Sequence, residues 1–116
     1  MKATELRIGN YLTEKFSKKE YPIYGVRYNR VFFGEDNFGP VSDMSPITLN
    51  EEWLLKFGFK SMRGQTIGYF KGSFRLLANP SVVWIKINQK NKYIYHVHQL
   101  QNLYFALTGE ELTLTI

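Results

Sequence analysis

The sequence HQLQNLYFALTGEE, His98 to Glu111, carries the longest unbroken helical apolar period in the chain. Four residues recur at i, i+3, i+4 and i+7 and so share one stripe of a helix: Leu100, Leu103, Tyr104 and Leu107. Gly109 follows the last turn, and a residue without Cβ readily takes the left-handed conformation that ends a helix. The pattern predicts a helix over residues 98–108 that covers the apolar face of a sheet.

Phe105 does not belong to this stripe, because it lies about 140° round the helix from Leu100. A large apolar side chain in that position either packs under another layer of the same domain or forms an exposed contact for another protein. Both interpretations remain open from the sequence. Phe105 is therefore the candidate protein contact, and a homodimer that buries it is one form of that interaction.

The length and composition of the chain limit the classes of protein to which it can belong. The 116 residues are enough for one domain, residues 1–116, with its own core. There is no cysteine, which excludes disulfides and thiolate metal sites, and no apolar run approaches the length of a membrane span. The N-terminal residues MKATELRIGN lack the apolar segment of a signal peptide. We expect a cytoplasmic protein without a membrane partner.

Charge is distributed unevenly along the chain. Residues 53–109 contain eight Lys or Arg and no Asp or Glu, although the whole chain carries a formal charge of only +5. A long acid-free segment favours a polyanionic partner, which is either nucleic acid or an acidic protein surface.

A second, shorter helix is predicted over residues 51–57 by signals at both ends. Asn50 is a suitable N-cap, and Gly58 a suitable stop. Leu49 and Leu54 have the spacing of a hydrophobic staple. The residues of this helix expected to be buried are Trp53, Leu54 and Phe57.

Runs rich in β-branched and aromatic residues predict about seven short strands. The first covers residues 6–12 and is interrupted at Gly9-Asn10, and two more lie within residues 21–33. The others are expected at 66–70, 73–77, 82–87, 92–97 and 112–116. We predict an α+β fold in which a small, mostly antiparallel sheet, curved or barrel-like in its N-terminal part, is covered by the two helices.

Three segments, LRIGN, PITLNEEWLLKFGF and VHQLQNLYFALTGEEL, resemble a group of short proteins encoded by gut Bacteroidetes and by their phages and prophages. The resemblance covers roughly the whole chain. Asn50 stands where the group's pattern has Thr, and both residues cap helices. The resemblance implies an origin on mobile DNA and an intracellular setting, but no catalytic or binding residue.

His96 and His98, two residues apart, can either bind hydrogen-bond partners or present two imidazoles to a metal. A metal site needs three or four ligands, and no further ligand is nearby in sequence, so we predict a structural role. Phosphate-binding glycine loops and nucleophile motifs are also missing. We therefore predict no metal, no cofactor and no catalytic residue.

The hairpin of residues 82–97 supplies the candidate binding surface. With a four-residue loop at 88–91, Trp84 faces Tyr95 and Lys86 faces Tyr93, so these four side chains share one face of the sheet. Lys90 and Lys92 are expected close by. Aromatic residues with lysines resemble surfaces that stack bases and bind phosphates. If a helix covers the same face, Trp84 and Tyr95 are core residues instead.

The sequence thus favours an accessory protein of phage type that works as a non-catalytic binding module. Nucleic acid is the specific hypothesis, with Trp84, Lys86, Lys90, Lys92, Tyr93 and Tyr95 as its binding residues. The alternative is a protein-interaction or structural module, and an enzyme is the third hypothesis.

Overall fold

The structure, a computed structural model, describes residues 1–34, 37–62, 68–79 and 82–114. It confirms the α+β class, with ten strands in the described residues where about seven were expected. The strands are β1 Tyr11–Glu14, β2 Glu20–Arg27, β3 Arg30–Phe33, β4 Asn37–Pro40, β5 Met44–Pro46, β6 Lys60–Ser61, β7 Gly68–Lys71, β8 Phe74–Asn79, β9 Val82–Ile87 and β10 Lys90–Ile94. The helices are α1 Glu51–Lys56, α2 Val97–Thr108 and 3-10 turns at Ala3–Glu5 and Val41–Asp43.

The chain forms two compact units, each with one five-stranded sheet. The first unit contains Met1–Thr48 and His96–Glu111, and its sheet has the order β4-β3-β2-β1-β5. The second contains Leu49–Tyr95 and the residues from Leu112, and its sheet has the order β10-β9-β8-β7-β6. All strand pairs in the described residues are antiparallel. A single domain over 1–116 stays a prediction.

Of the two alternatives for the N-terminal part, the barrel is wrong and the curved sheet stays a prediction. The first sheet is open, because its end strands β4 and β5 do not pair with each other in the described residues. Its apolar core is made by residues from four of its strands and from the N-terminal segment: Leu6, Leu12, Ile23, Val31 and Met44.

The predicted strand over residues 6–12 is also wrong in its first half, since β1 begins at Tyr11. Gly9 has a φ of 97°, and the side chain of Asn10 accepts a hydrogen bond from the backbone N–H of Arg7 at 2.8 Å. Such a side-chain bond stabilises a turn and competes with strand pairing.

Helix α2 has nearly the predicted extent, but its buried face includes only part of the predicted stripe. Leu100 and Tyr104 are buried as expected, whereas Leu107 is 51% exposed. The buried face is turned towards Gln101, whose side chain donates to the Gly9 carbonyl and accepts from the Tyr11 N–H, both at 2.9 Å. The helix is thus anchored by polar as well as apolar contacts.

The end of α2 is as predicted. Gly109 is left-handed, with a φ of 75°, and its N–H donates to the Phe105 carbonyl at 2.8 Å. The stop signal read from sequence is therefore confirmed.

Helix α1 closely matches the predicted helix and ends one residue earlier than expected. The Asn50 side chain accepts a hydrogen bond from the Trp53 N–H at 3.0 Å, which caps the helix. The predicted residues Trp53, Leu54 and Phe57 are all buried, and so is Leu49. Neither described helix is long and apolar enough to cross a membrane.

The hairpin of β9 and β10 has a tighter turn than predicted. Asn88 and Gln89 have φ values of 50° and 66°, so they form a two-residue turn and Lys90 pairs with Ile87. The pairing with a four-residue loop is therefore wrong by two residues.

Other predicted strands are partly tested. β7 and β8 match the hairpin expected at 66–77, although residues 66–67 lie outside the described ranges. Residues 112–114 do not form the predicted final strand, and residues 115–116 lie outside the description.

Candidate functional site

One face of the second sheet is covered by α1. Phe74, Leu76, Val83 and Ile94 point to this face and are buried. We call it the covered face.

Three contacts tie α1 and the segment after it to the covered face. The Lys71 ammonium donates to the Phe57 carbonyl at 2.9 Å, and the rings of Phe59 and Phe74 meet edge to face at 6.0 Å. Burial and the nearby Glu51 carboxylate raise the pKa of Tyr69. These contacts take the apolar side of the sheet out of water.

The opposite side, which we call the open face, carries a chain of aromatic rings. Trp84 and Tyr93 are directly opposite each other on β9 and β10, with ring centroids 5.9 Å apart. Tyr93 and Tyr95 lie two residues apart, and their nearly parallel rings are 6.4 Å apart. Tyr93 is 46% and Tyr95 is 56% exposed, while Trp84 is half-buried. The exposed tyrosines can therefore meet a ligand.

Four of the predicted site residues come together on the open face: Trp84, Lys86, Tyr93 and Tyr95. The grouping survives the wrong register because an error of two residues leaves every side chain on its own face. Lys90 and Lys92 do not join them. They pair with Ile87 and Ile85, which places both lysines on the covered face of the sheet, at its exposed end.

Arg75, Lys60 and Phe70 lie on the open face and were missed by the sequence analysis. Lys60 pairs with Phe70, and Phe70 pairs with Arg75, so all three side chains point to the same side. The sequence did not show that β8 lies next to β9. Arg75 belongs to β8, so its place beside the site depends on that strand order. The signal in the sequence that could have identified Arg75 as a site residue was its positive charge.

A shallow concavity of about 530 Å³ is lined by residues of β8 and β9. Its lining combines Arg75, Leu77 and Lys86 of the open face with Phe74 and Ile85 of the covered face, and it also includes Met62 and Ser73. Apolar surface and two cations therefore meet in one recess between β8 and β9, beyond the last pair of these strands.

The second unit is the basic part of the protein. It holds eight Lys or Arg against Glu51 and Glu52, a formal charge of +6, while the first unit has a charge of −1. Because both of these acids belong to α1, which lies against the covered face, the cations of the open face keep a positive field towards solvent.

Phe105 takes part in a contact within the first unit. The Arg7 guanidinium lies 3.9 Å from the centroid of its ring, and Arg7 also forms an ion pair with Glu111. Phe105 is 39% exposed. The cation over the ring occupies one of its surfaces, and the role of Phe105 in protein binding stays a prediction.

His98 is fully buried and bonds to Glu5 through Nε2, at 3.0 Å from the carboxylate oxygen. Burial lowers the pKa of His98, although the Glu5 hydrogen bond opposes this shift. A neutral ring that donates Nε2–H to the carboxylate leaves Nδ1 as an unprotonated acceptor, and Nδ1 has no hydrogen-bond partner within the described part of the chain.

The two imidazoles of His96 and His98 stack with centroids 5.8 Å apart. Across residues 1–34, 37–62, 68–79 and 82–114, no group of three or more His, Asp or Glu side chains is arranged to hold a metal ion. The bond of His98 to Glu5 and the stacking of the two imidazoles are contacts within the first unit.

A second exposed aromatic cluster belongs to the first unit. Phe32 lies 6.1 Å from Tyr24 and 5.7 Å from Phe38, and the Arg30 guanidinium lies 5.6 Å from the Phe38 ring. The cluster provides a comparison for the open face, because it has similar rings in a unit without excess positive charge.

The chain matches no protein-family model, no curated protein and no solved structure in comparisons of sequence and fold.

Proposed function

We propose that the protein is a non-catalytic binding module for single-stranded nucleic acid and that the open face is its binding surface. The observation that carries the proposal is the chain of rings Trp84, Tyr93 and Tyr95 on the face that also presents Lys86. Half-exposed rings beside cations are what base stacking and phosphate binding require.

The two kinds of side chain supply different parts of the affinity. Stacking of a base on an aromatic ring contributes on the order of 1–3 kcal/mol as judged by alanine substitution, and it tolerates any base. Phosphate contacts by Lys or Arg add a term that weakens with salt. A single strand offers both groups at once, whereas a duplex hides the faces of its bases.

The resemblance to proteins of Bacteroidetes phages and prophages gives this proposal a setting. A protein carried on mobile DNA and acting inside the cell meets single strands whenever that DNA is copied or transferred. An accessory role in handling such strands follows from the proposal, without a catalytic step.

The test is binding of a fluorescein-labelled single-stranded oligonucleotide, measured by anisotropy at low and at moderate salt. We expect the wild type to bind and Trp84→Ala to weaken binding about 5- to 150-fold, which corresponds to the stacking range of about 1–3 kcal/mol. Tyr28→Ala is the matched control, since Tyr28 is 84% exposed but belongs to the first unit.

Two results contradict the proposal. One is a wild-type protein with no affinity for any single strand at low salt. The other is equal weakening in the Trp84→Ala and Tyr28→Ala variants, which would place binding away from the open face. Co-purification of a partner protein that survives high salt would support the alternative of a protein-interaction module.

A further inference from the structure

The strand registers arrange the open face in two rows that cross the β-strands. The basic row contains Lys60, Phe70, Arg75, Lys86 and Asn91. Lys60 pairs with Phe70, Phe70 with Arg75, and Lys86 with Asn91. The pairing of β8 with β9 ends at Leu77 and Trp84, and beyond this pair Arg75 and Lys86 line the same concavity.

The stacking row runs beside the basic row. Gly68 pairs with Leu77, Leu77 with Trp84, and Trp84 with Tyr93, so these positions also form a line across β7 to β10. The rows are two residues apart along each strand, a distance of about 7 Å. Three of the five positions in the basic row are thus cations, and the parallel row holds Leu77, Trp84 and Tyr93.

This arrangement has the polarity of a nucleotide chain, which has charge along one side and flat rings along the other. Resting on the proposed function, we infer that a single strand crosses the β-strands, with its phosphates along the basic row and its bases on the stacking row. Lys60 and Arg75 are then phosphate-binding residues in addition to Lys86.

The length of the basic row sets the size of the contact. Lys60 on β6 and Lys86 on β9 are three strand spacings apart, which is about 14 Å. A stacked strand rises about 3.4 Å per nucleotide, so about four nucleotides span these cations.

Lys90 and Lys92 lie outside this path. Their cross-strand partners Ile87 and Ile85 belong to the covered face, so phosphates on the open face do not reach them from the basic row. They provide matched controls, because each is exposed and changes the total charge by the same amount as Lys86.

The experiment measures how the logarithm of affinity for the oligonucleotide depends on the logarithm of salt concentration. For a single strand this slope changes by about 0.7 for each phosphate that the protein no longer neutralises. Lys60→Gln, Arg75→Gln and Lys86→Gln should each flatten the slope by about that amount. Lys90→Gln and Lys92→Gln should leave the slope within error of the wild type.

The outcomes separate the path from the function. If Trp84→Ala weakens binding but Lys60→Gln and Arg75→Gln leave the slope unchanged, the path across the sheet is wrong and the open face still binds. If all five variants flatten the slope equally, only the total charge matters and the path is also overturned. Absence of wild-type binding overturns both proposals.

Discussion

The two faces of the second sheet are built from alternate residues of the same strands, yet they differ in chemistry. Leu76 is fully buried on the covered face, while its neighbour Leu77 is half-buried on the open face. Val83 and Trp84 show the same contrast on β9, and Ile94 and Tyr93 show it on β10. Period-two alternation thus separates residues that stabilise the unit from residues that can meet a ligand.

Adjacent leucines give the largest expected difference between the faces. Leu76→Ala should lower the free energy of unfolding by about 2–5 kcal/mol, because it leaves a cavity under α1. Leu77→Ala should cost less than half as much, since solvent already reaches that side chain. Urea unfolding of both variants measures the difference, and equal destabilisation would mean that the open face is covered.

Gly68 lies in the stacking row but is required by the backbone. A Cβ added there would lie within van der Waals overlap of the Leu76 carbonyl oxygen, so the two strands would have to move apart. We expect Gly68→Ala to destabilise by about 1–3 kcal/mol, the usual cost of overpacking. Thermal unfolding measures this cost, and a Gly68→Ala variant as stable as the wild type would show that β7 and β8 are not held at this distance.

Tyr93 tests the open face with a small effect on folding. Tyr93→Ala removes the cross-strand pair with Trp84, worth about 0.2–1 kcal/mol of stability. Affinity for a single strand should fall by a larger free energy, within the stacking range of about 1–3 kcal/mol. The two effects are measured by urea unfolding and by anisotropy, and a larger effect on folding than on binding would assign Tyr93 to the core.

The smallest expected effect is a change of folding stability with pH, which arises from His98 in the first unit. Burial holds the pKa of His98 below its usual 6.5 in the folded state, so below about pH 6.5 the unfolded chain takes up a proton first. Stability should therefore fall as pH drops below about 6.5, until the lower folded-state pKa is passed. Melting temperatures from pH 7.5 to 5 should show this fall in the wild type, and His98→Gln should remove it. The same fall in His98→Gln would contradict the assignment.

Structural features whose sequence signals lie close together in the chain were predicted better than features that depend on distant residues. Helix α1 was predicted almost completely, because its cap, staple and stop all lie between Leu49 and Gly58. The buried face of α2 was predicted only in part, because its position depends on a hydrogen bond from Gln101 to the Gly9 carbonyl, about ninety residues away in sequence. The spacing of apolar residues does not show that a polar side chain is buried because it forms hydrogen bonds with a distant backbone segment.

The candidate site shows the same limit. The shared face of Trp84, Tyr93 and Tyr95 followed from alternation within one hairpin, and it survived an error in loop length. The inclusion of Lys90 and Lys92 among the site residues followed from proximity in sequence, and their pairing with Ile87 and Ile85 places them on the other face. Arg75 required the strand order of the whole sheet, which is non-local information.

The most direct test uses the two tryptophans, one on each side of the second sheet. Trp84 lies on the open face, and Trp53 is buried in α1, which lies against the covered face. In a Trp53→Phe variant, an added single-stranded oligonucleotide should quench the fluorescence of Trp84. In a Trp84→Phe variant that retains binding by anisotropy, the fluorescence of Trp53 should stay unchanged. Quenching of Trp53 instead, or binding without quenching of Trp84, would contradict the assignment of the open face as the binding surface.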